Sequence, residues 1–180
     1  SMLYGETAID IPRGNQRQKI KNVFLVPHHG DKIEVYPPVI DAIREADHVI
    51  IGPGDLFTSI VPNFLVPGVK ETLQDTGAEI TYIVNIMTKF GETDNYTAAD
   101  FVSKIEEYLN REINNVILNT GRLEDEILDR YTEQKARFVE EGLFPRGNKK
   151  VIAENILDSS GGIIRHSPER LAEVICKIIA

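Results

Sequence analysis

Short continuous apolar runs alternate with stripes of helical spacing along most of the chain. Val23-Phe24-Leu25-Val26, closed by Pro27, reads as a first short buried strand. His48-Val49-Ile50-Ile51, Ile80 to Ile86, Asn115 to Asn119 and Val151-Ile152-Ala153 read as four more. Pro37 and Pro38 suit the first turn of a helix whose apolar positions are Val39, Ile40, Ile43 and Ala46. Thr58 and Ser59 are candidate N-caps of a helix through Phe64 and Leu65, with Pro62 in its first turn and a break forced at Pro67. Thr97-Ala98-Ala99-Asp100 has the spacing of a capping box ahead of a face made by Phe101, Val102, Ile105, Tyr108 and Leu109. Leu123, Ile127, Leu128 and Tyr131 form another stripe, and Ser167-Pro168-Glu169 opens a last helix carrying Leu171, Val174, Ile175, Ile178 and Ile179. Residues 135–150 show no clear period and read as a loop holding the extended piece Arg137-Phe138-Val139.

Near-continuous apolar strands alternating with helices predict βαβ units, hence an α/β fold with a mostly parallel sheet covered on both faces: a three-layer, Rossmann-like, doubly wound domain. Ligands of such sheets bind outside the carboxyl ends of the strands. Three unusual segments fall there, Gly52 to Ser59, Asn85 to Asn95 and Asn119 to Gly121, whereas the links into the strands are bland.

Charge narrows the partners. With 28 acidic and 20 basic residues the net charge is -8, which repels nucleic acid and anionic lipid. Asn148-Lys149-Lys150 is the densest cationic stretch and reads as solvated surface. The expected partner is therefore a small ligand held by a focused site, not nucleic acid or a membrane. A single cysteine, Cys176, and the lack of an apolar run long enough for a span or an export signal predict a cytoplasmic location. His28 and His29 adjoin without a third ligand at a recognisable spacing, so no metal site is read from them. His48 and His166 read as structural histidines.

Gly52-Pro53-Gly54-Asp55-Leu56-Phe57-Thr58-Ser59 sets two glycines and then two hydroxyls between a strand and a helix start. That layout lets backbone amides approach a phosphate, with Gly52, Gly54, Thr58 and Ser59 as the candidate phosphate-binding residues. Spacing alone equally allows a plain turn with helix caps, because the string is neither a Walker loop nor the dinucleotide pattern. In the second segment, Asn85, Thr88, Glu92, Thr93 and Asn95 offer donors and acceptors for ribose, base or sugar hydroxyls, or form an ordinary polar connection.

Ile51 to Asn63, followed by Asn85-Ile86-Met87-Thr88 and Gly91-Glu92-Thr93-Asp94, resembles the YvcK-type gluconeogenesis factors of the CofD-like family, relatives of the 2-phospho-L-lactate transferase. The likeness runs from about Gly5 to the terminal helix and includes Arg165-His166. It implies a nucleotide or nucleotide-sugar ligand of the UDP-sugar kind and a role in cell shape during gluconeogenic growth. Asn63 and Gly91 join the candidate ligand-binding residues on this ground. The transferase branch, which uses a phosphate-rich substrate and a metal ion such as Mg2+, makes phosphoryl-type transfer the catalytic alternative; a structural or interaction module, or a homo-oligomer, is the other. The resemblance also implies a first strand and a glycine-rich loop ahead of this chain, so that residues 1–180 are the carboxy-terminal portion of one CofD-like domain.

Two departures from the resembled pattern bear on the site. Asp55 stands where the family often has serine, and Lys89-Phe90 replaces a more usual Gln-Pro pair. A carboxylate 4 Å from a phosphate charge costs about 4 kcal/mol at an effective dielectric of 20, so Asp55 is not expected to touch phosphate directly; pointing away, capping the following helix and holding a divalent ion are its alternatives, capping first.

Overall fold

The computed structural model describes residues 2–10, 20–27, 30, 32–123, 126–144 and 147–180. Arg13 to Arg17 and the pair His28-His29 lie outside the described residues. Four parallel strands, β1 (His48–Ile51), β2 (Glu79–Ile83), β3 (Asn115–Asn119) and β4 (Lys150–Glu154), pair in the order β1-β2-β3-β4. Alternation sorts their side chains. Ile80, Tyr82, Val116 and Leu118 join the larger core beneath α2 (Pro37–Glu45), α3 (Val61–Phe64), α4 (Val69–Asp75) and α5 (Ala98–Leu109). Ile83, Ile117 and Ile152 pack on the opposite side against Val174, Leu171 and Ile175 of α7 (Pro168–Ile179). Helix, sheet and helix are the three layers expected.

Local chemistry accounts for the helices that frame the sheet. The Thr97–Asp100 capping box closes reciprocally, the Thr97 hydroxyl accepting from the Asp100 amide and the Asp100 carboxylate accepting from the Thr97 amide. Ser167 caps α7 by accepting from the Arg170 amide. The Arg111 guanidinium donates to the carbonyls of Leu73, Thr76 and Ala78, closing the end of α4 and fixing the entry into β2. Further elements among the described residues are α1 (Glu6–Asp10), α6 (Glu126–Glu133), an antiparallel pair, β5 (Leu157–Asp158) with β6 (Arg165–His166), and a 3-10 turn, Ser160–Gly162, between these two strands. Among the described residues no helix is long and apolar enough to cross a membrane.

The structure differs from the sequence expectations at four places. Val23 to Val26 is not a strand: it pairs with no ladder, the Val23 amide donates to the Tyr108 hydroxyl, and Phe24 and Val26 are exposed. Apolar residues become a strand only where a neighbouring backbone accepts them. Ile50 is 41% exposed, since α7 covers the opposite face over β2 to β4 and leaves β1 partly open. Thr58 and Ser59 are not caps. A π-helical turn, Leu56–Ile60, starts three residues earlier and runs into α3, because burial of Leu56 and Phe57 draws that turn onto the core. The β5–β6 pair, two residues per strand, is too short to have a legible period.

Gly52 leaves β1 with φ +86°, and a Cβ there would lie 3.0 Å from the Ile83 carbonyl oxygen. Gly52→Ala is expected to destabilise the fold by about 1–3 kcal/mol, read as a lower urea midpoint at unchanged slope; an unaltered midpoint would count against this geometry.

Candidate functional site

Parallel pairing makes β1 and β2 release the chain at the same edge of the sheet. There the two motif loops enclose a cavity of about 860 Å3. One wall is Pro53, Gly54 and Asp55; the next is the stretch 85–90; the far side is Tyr131 with residues 133–136 from the end of α6, and residues 164–166 around β6. Lys89, Lys135 and Arg165 bring cationic groups to this lining, beside Asp55 and Glu133.

The first loop is wound tightly. The Asp55 carbonyl accepts from the Ser59 and Ile60 amides at 2.9 and 3.0 Å. A Cβ on Gly54 would sit 3.1 Å from Ile60 Cδ1 and 3.3 Å from Ser59 Cβ, so glycine keeps the bend narrow. Thr58 Oγ1 is buried without a hydrogen-bond partner among the described residues.

The second loop is fastened from both sides by residues 136–141, the stretch whose period was illegible. Met87 and Phe138 form an antiparallel bridge; the Thr88 amide donates to the Arg137 carbonyl at 2.7 Å, and the Val139 amide to the Ile86 carbonyl at 2.8 Å. Further on, the Ala98 and Ala99 amides at the start of α5 donate to the carbonyls of Glu140 and Glu141. Inside the loop, the Lys89 amide donates to Thr93 Oγ1, the Glu92 and Thr93 amides donate to the Lys89 carbonyl, and the Gly91 amide donates to Asp94. Asn95 completes the turn at φ +59°.

One side chain joins the two loops. Lys89 Nζ lies 2.6 Å from Asp55 Oδ2 and 3.2 Å from Glu92 Oε1. Asp55 thus occupies the cap position ahead of the π-helical turn without capping it by its side chain; its carboxylate goes to Lys89 instead. The two departures from the resembled pattern, Asp55 and Lys89, are partners. Glu92 is 1% exposed, so its carboxylate sits beneath the loop and not in the cavity wall.

The far wall was not read from the sequence as part of a site. Lys135, itself at φ +59°, holds its ammonium 4.4 Å from the centroid of the Phe90 ring, across the cavity from α6 to the second loop. Arg165 is tied outward, its Nε 2.8 Å from Asp158 Oδ2. The Ser160 amide and the Arg165 guanidinium hold the Asp158 carboxyl down at about 2. His166 Nε2 is 3.2 Å from the Val84 carbonyl. Burial pushes its imidazole below the ordinary value, only partly offset by that carbonyl, so the ring is neutral near pH 7. Its place in the Arg165-His166 pair was the one available signal.

Of the residues singled out in the sequence, the structure brings Gly54, Asn85 and Thr88 into the lining, with Gly52 next to Pro53 at the rim. Asn85 Oδ1 is buried and has no hydrogen-bond partner among the described residues. Thr88 is buried, and its hydroxyl accepts from the Arg137 amide; Thr93 is likewise spent on Lys89. Asn63 donates to the Ser59 and Ile60 carbonyls on the helix, and Asn95 is exposed, so neither reaches the cavity. Thr58, Ser59, Gly91, Glu92 and Thr93 also lie outside its lining. Asn119 spends its side chain on Gly121 and the Ile156 amide, tying the β3 exit to the β5 segment.

A divalent ion at this rim needs carboxylates of its own. Asp55 and Glu92 share the Lys89 ammonium, and among the described residues no group of three or more His, Cys, Asp or Glu converges as a metal site. The donor set does not fit a resident magnesium ion.

Residues 1–157 match the family model described as 2-phospho-L-lactate transferase CofD. The gluconeogenesis factor of Bacillus subtilis is 39% identical over 166 residues, covering 90% of this chain and 51% of its own. That of Halalkalibacterium halodurans is 34% identical over 178 residues, covering 97% and 53%. The crystal structure of a Bacillus halodurans protein has a TM-score of 0.84 at 31% identity, covering 96% of this chain and 54% of that one. The chain therefore spans about half the length of the curated relatives it matches.

His166 makes stability pH-dependent. With its folded value below the ordinary 6.5, the unfolded chain binds more protons between the two values, so this stabilisation is complete above about pH 6.5 and is lost as pH falls below it. His166→Gln is expected to flatten the fall in urea-unfolding free energy between about pH 7.5 and 5, a window well above the Asp158 transition; equal slopes in both proteins would contradict the assignment.

Proposed function

The chain belongs to the CofD family, and on that premise we propose that it supplies the nucleotide-sugar cavity of a gluconeogenesis factor. The observation that carries this reading is the meeting of both motif loops on one cavity of about 860 Å3, where the Asn85 amide oxygen is buried without a partner among the described residues. A volume of this size lies within the usual range for small-molecule sites, which combine apolar walls with a few placed polar groups. Ile86, Met87, Phe90 and Ile164 offer the apolar surface; Asn85 offers the directional contact. Gly54, without a side chain, exposes its backbone on the first wall, and Lys135 on the facing wall favours a diphosphate.

On this reading Gly54 serves the phosphates, Gly52 shapes the bend that presents it, and Asn85 orients the remainder. The bound UDP-sugar is a cytoplasmic signal that adjusts cell shape during gluconeogenic growth. The family's namesake is a transferase, but with Asp55 and Glu92 both held by one ammonium the cavity supports ligand binding better than acid–base or metal-assisted transfer.

Calorimetric titration of the full-length protein with a panel of UDP-sugars is expected to show saturable binding, and Asn85→Ala to weaken it by roughly tenfold or more, the effect of losing a buried hydrogen bond. No heat of binding at millimolar ligand would reject the reading.

A further inference from the structure

We propose that the Lys89 ammonium takes the place of a divalent cation at this cavity, so that the protein binds its anionic ligand without magnesium. The inference rests on the nucleotide-sugar reading above and adds the means by which the ligand's charge is met. Asp55 lies in the loop after β1 and Glu92 in the loop after β2, and the point between them is where a bridging cation would sit. Lys89 Nζ occupies it, 2.6 Å from one carboxylate and 3.2 Å from the other. Glu92 is 1% exposed, and a carboxylate so deeply buried calls for a fixed compensating charge.

The backbone holds the lysine there. Its amide donates to Thr93 Oγ1 at 2.9 Å, and its carbonyl accepts from the amides of Glu92 and Thr93. A metal ion would have to displace an ammonium already seated between two carboxylates, using those same carboxylates as ligands. Lys89 is 28% exposed and lines the cavity, so its charge is also presented to whatever enters. Lys135, above the Phe90 ring, supplies a second cation from the facing wall. Two fixed ammonium groups thus stand on the lining of a chain whose net charge is -8.

The test is calorimetric titration of the full-length protein with UDP-glucose and UDP-N-acetylglucosamine, in about 5 mM magnesium chloride and again in excess EDTA, for wild type, Lys89→Gln and Lys89→Arg. Wild type is expected to bind with the same Kd, within about twofold, in both buffers. Lys89→Gln is expected to lose roughly tenfold or more in EDTA and to regain affinity in magnesium, because Asp55 and Glu92 are then open to the metal. Lys89→Arg keeps the charge and is expected to retain more of the EDTA affinity than Lys89→Gln. The inference is overturned if wild-type binding needs magnesium, or if Lys89→Gln binds as wild type does in EDTA. Should the variants misfold, magnesium-dependent binding by the wild type still overturns the inference. Absence of wild-type binding in both buffers would instead remove the ligand reading itself.

Discussion

Parallel strand pairing is the constraint from which the site follows. Because β1, β2 and β3 run the same way in consecutive register, each hands its chain to a loop at the same edge of the sheet, and each return passes over a face as a helix. Motifs far apart in sequence are thereby brought to one rim. Gly52 and Asn85 stand at the exits of neighbouring strands whatever the detail of the loops between. The larger core, centred on Tyr82, Phe101, Ile105 and Val116, keeps those exits in place.

A rim of loops needs further fastening, since loop backbone lacks the ladders that hold the strands. Residues 136–141 provide it by pairing with 86–88 and by accepting from the first amides of α5. The same stretch therefore fixes the second loop at both its start and its finish. Several residues with ligand-like chemistry are consumed in this task. Thr88 and Thr93 direct their hydroxyls to backbone amides of the loop and its anchor, which explains their burial without placing them on a ligand.

Electrostatics then tune the rim. Asp55 alone would repel a phosphate, and Glu92 alone would be an unaccompanied buried charge. The shared Lys89 ammonium offsets part of each, and it couples the loop after β1 to the loop after β2 across the cavity wall. Lys135 above Phe90 makes a second link, from α6 to the same loop. Ammonium groups thus stand on the cavity lining although the chain carries a net charge of -8.

By itself the sequence determined the layered α/β architecture, the strands β1 to β4 and the placement of both motif loops at one edge, because apolar period and strand–helix alternation are local properties that parallel pairing converts directly into position. It also marked the α5 and α7 caps, whose hydrogen bonds span only three residues. Tertiary structure alone decided that Val23 to Val26 would go unpaired, that Leu56 and Phe57 would pull the helix start ahead of Thr58, and that 136–141 would cross to the second loop. It alone joined Asp55 to Lys89, and it alone brought Tyr131, Lys135 and His166 into the far wall. Each of those outcomes depends on a partner distant in the chain, and no local pattern of hydrophobic and polar residues specifies which distant group a side chain will meet.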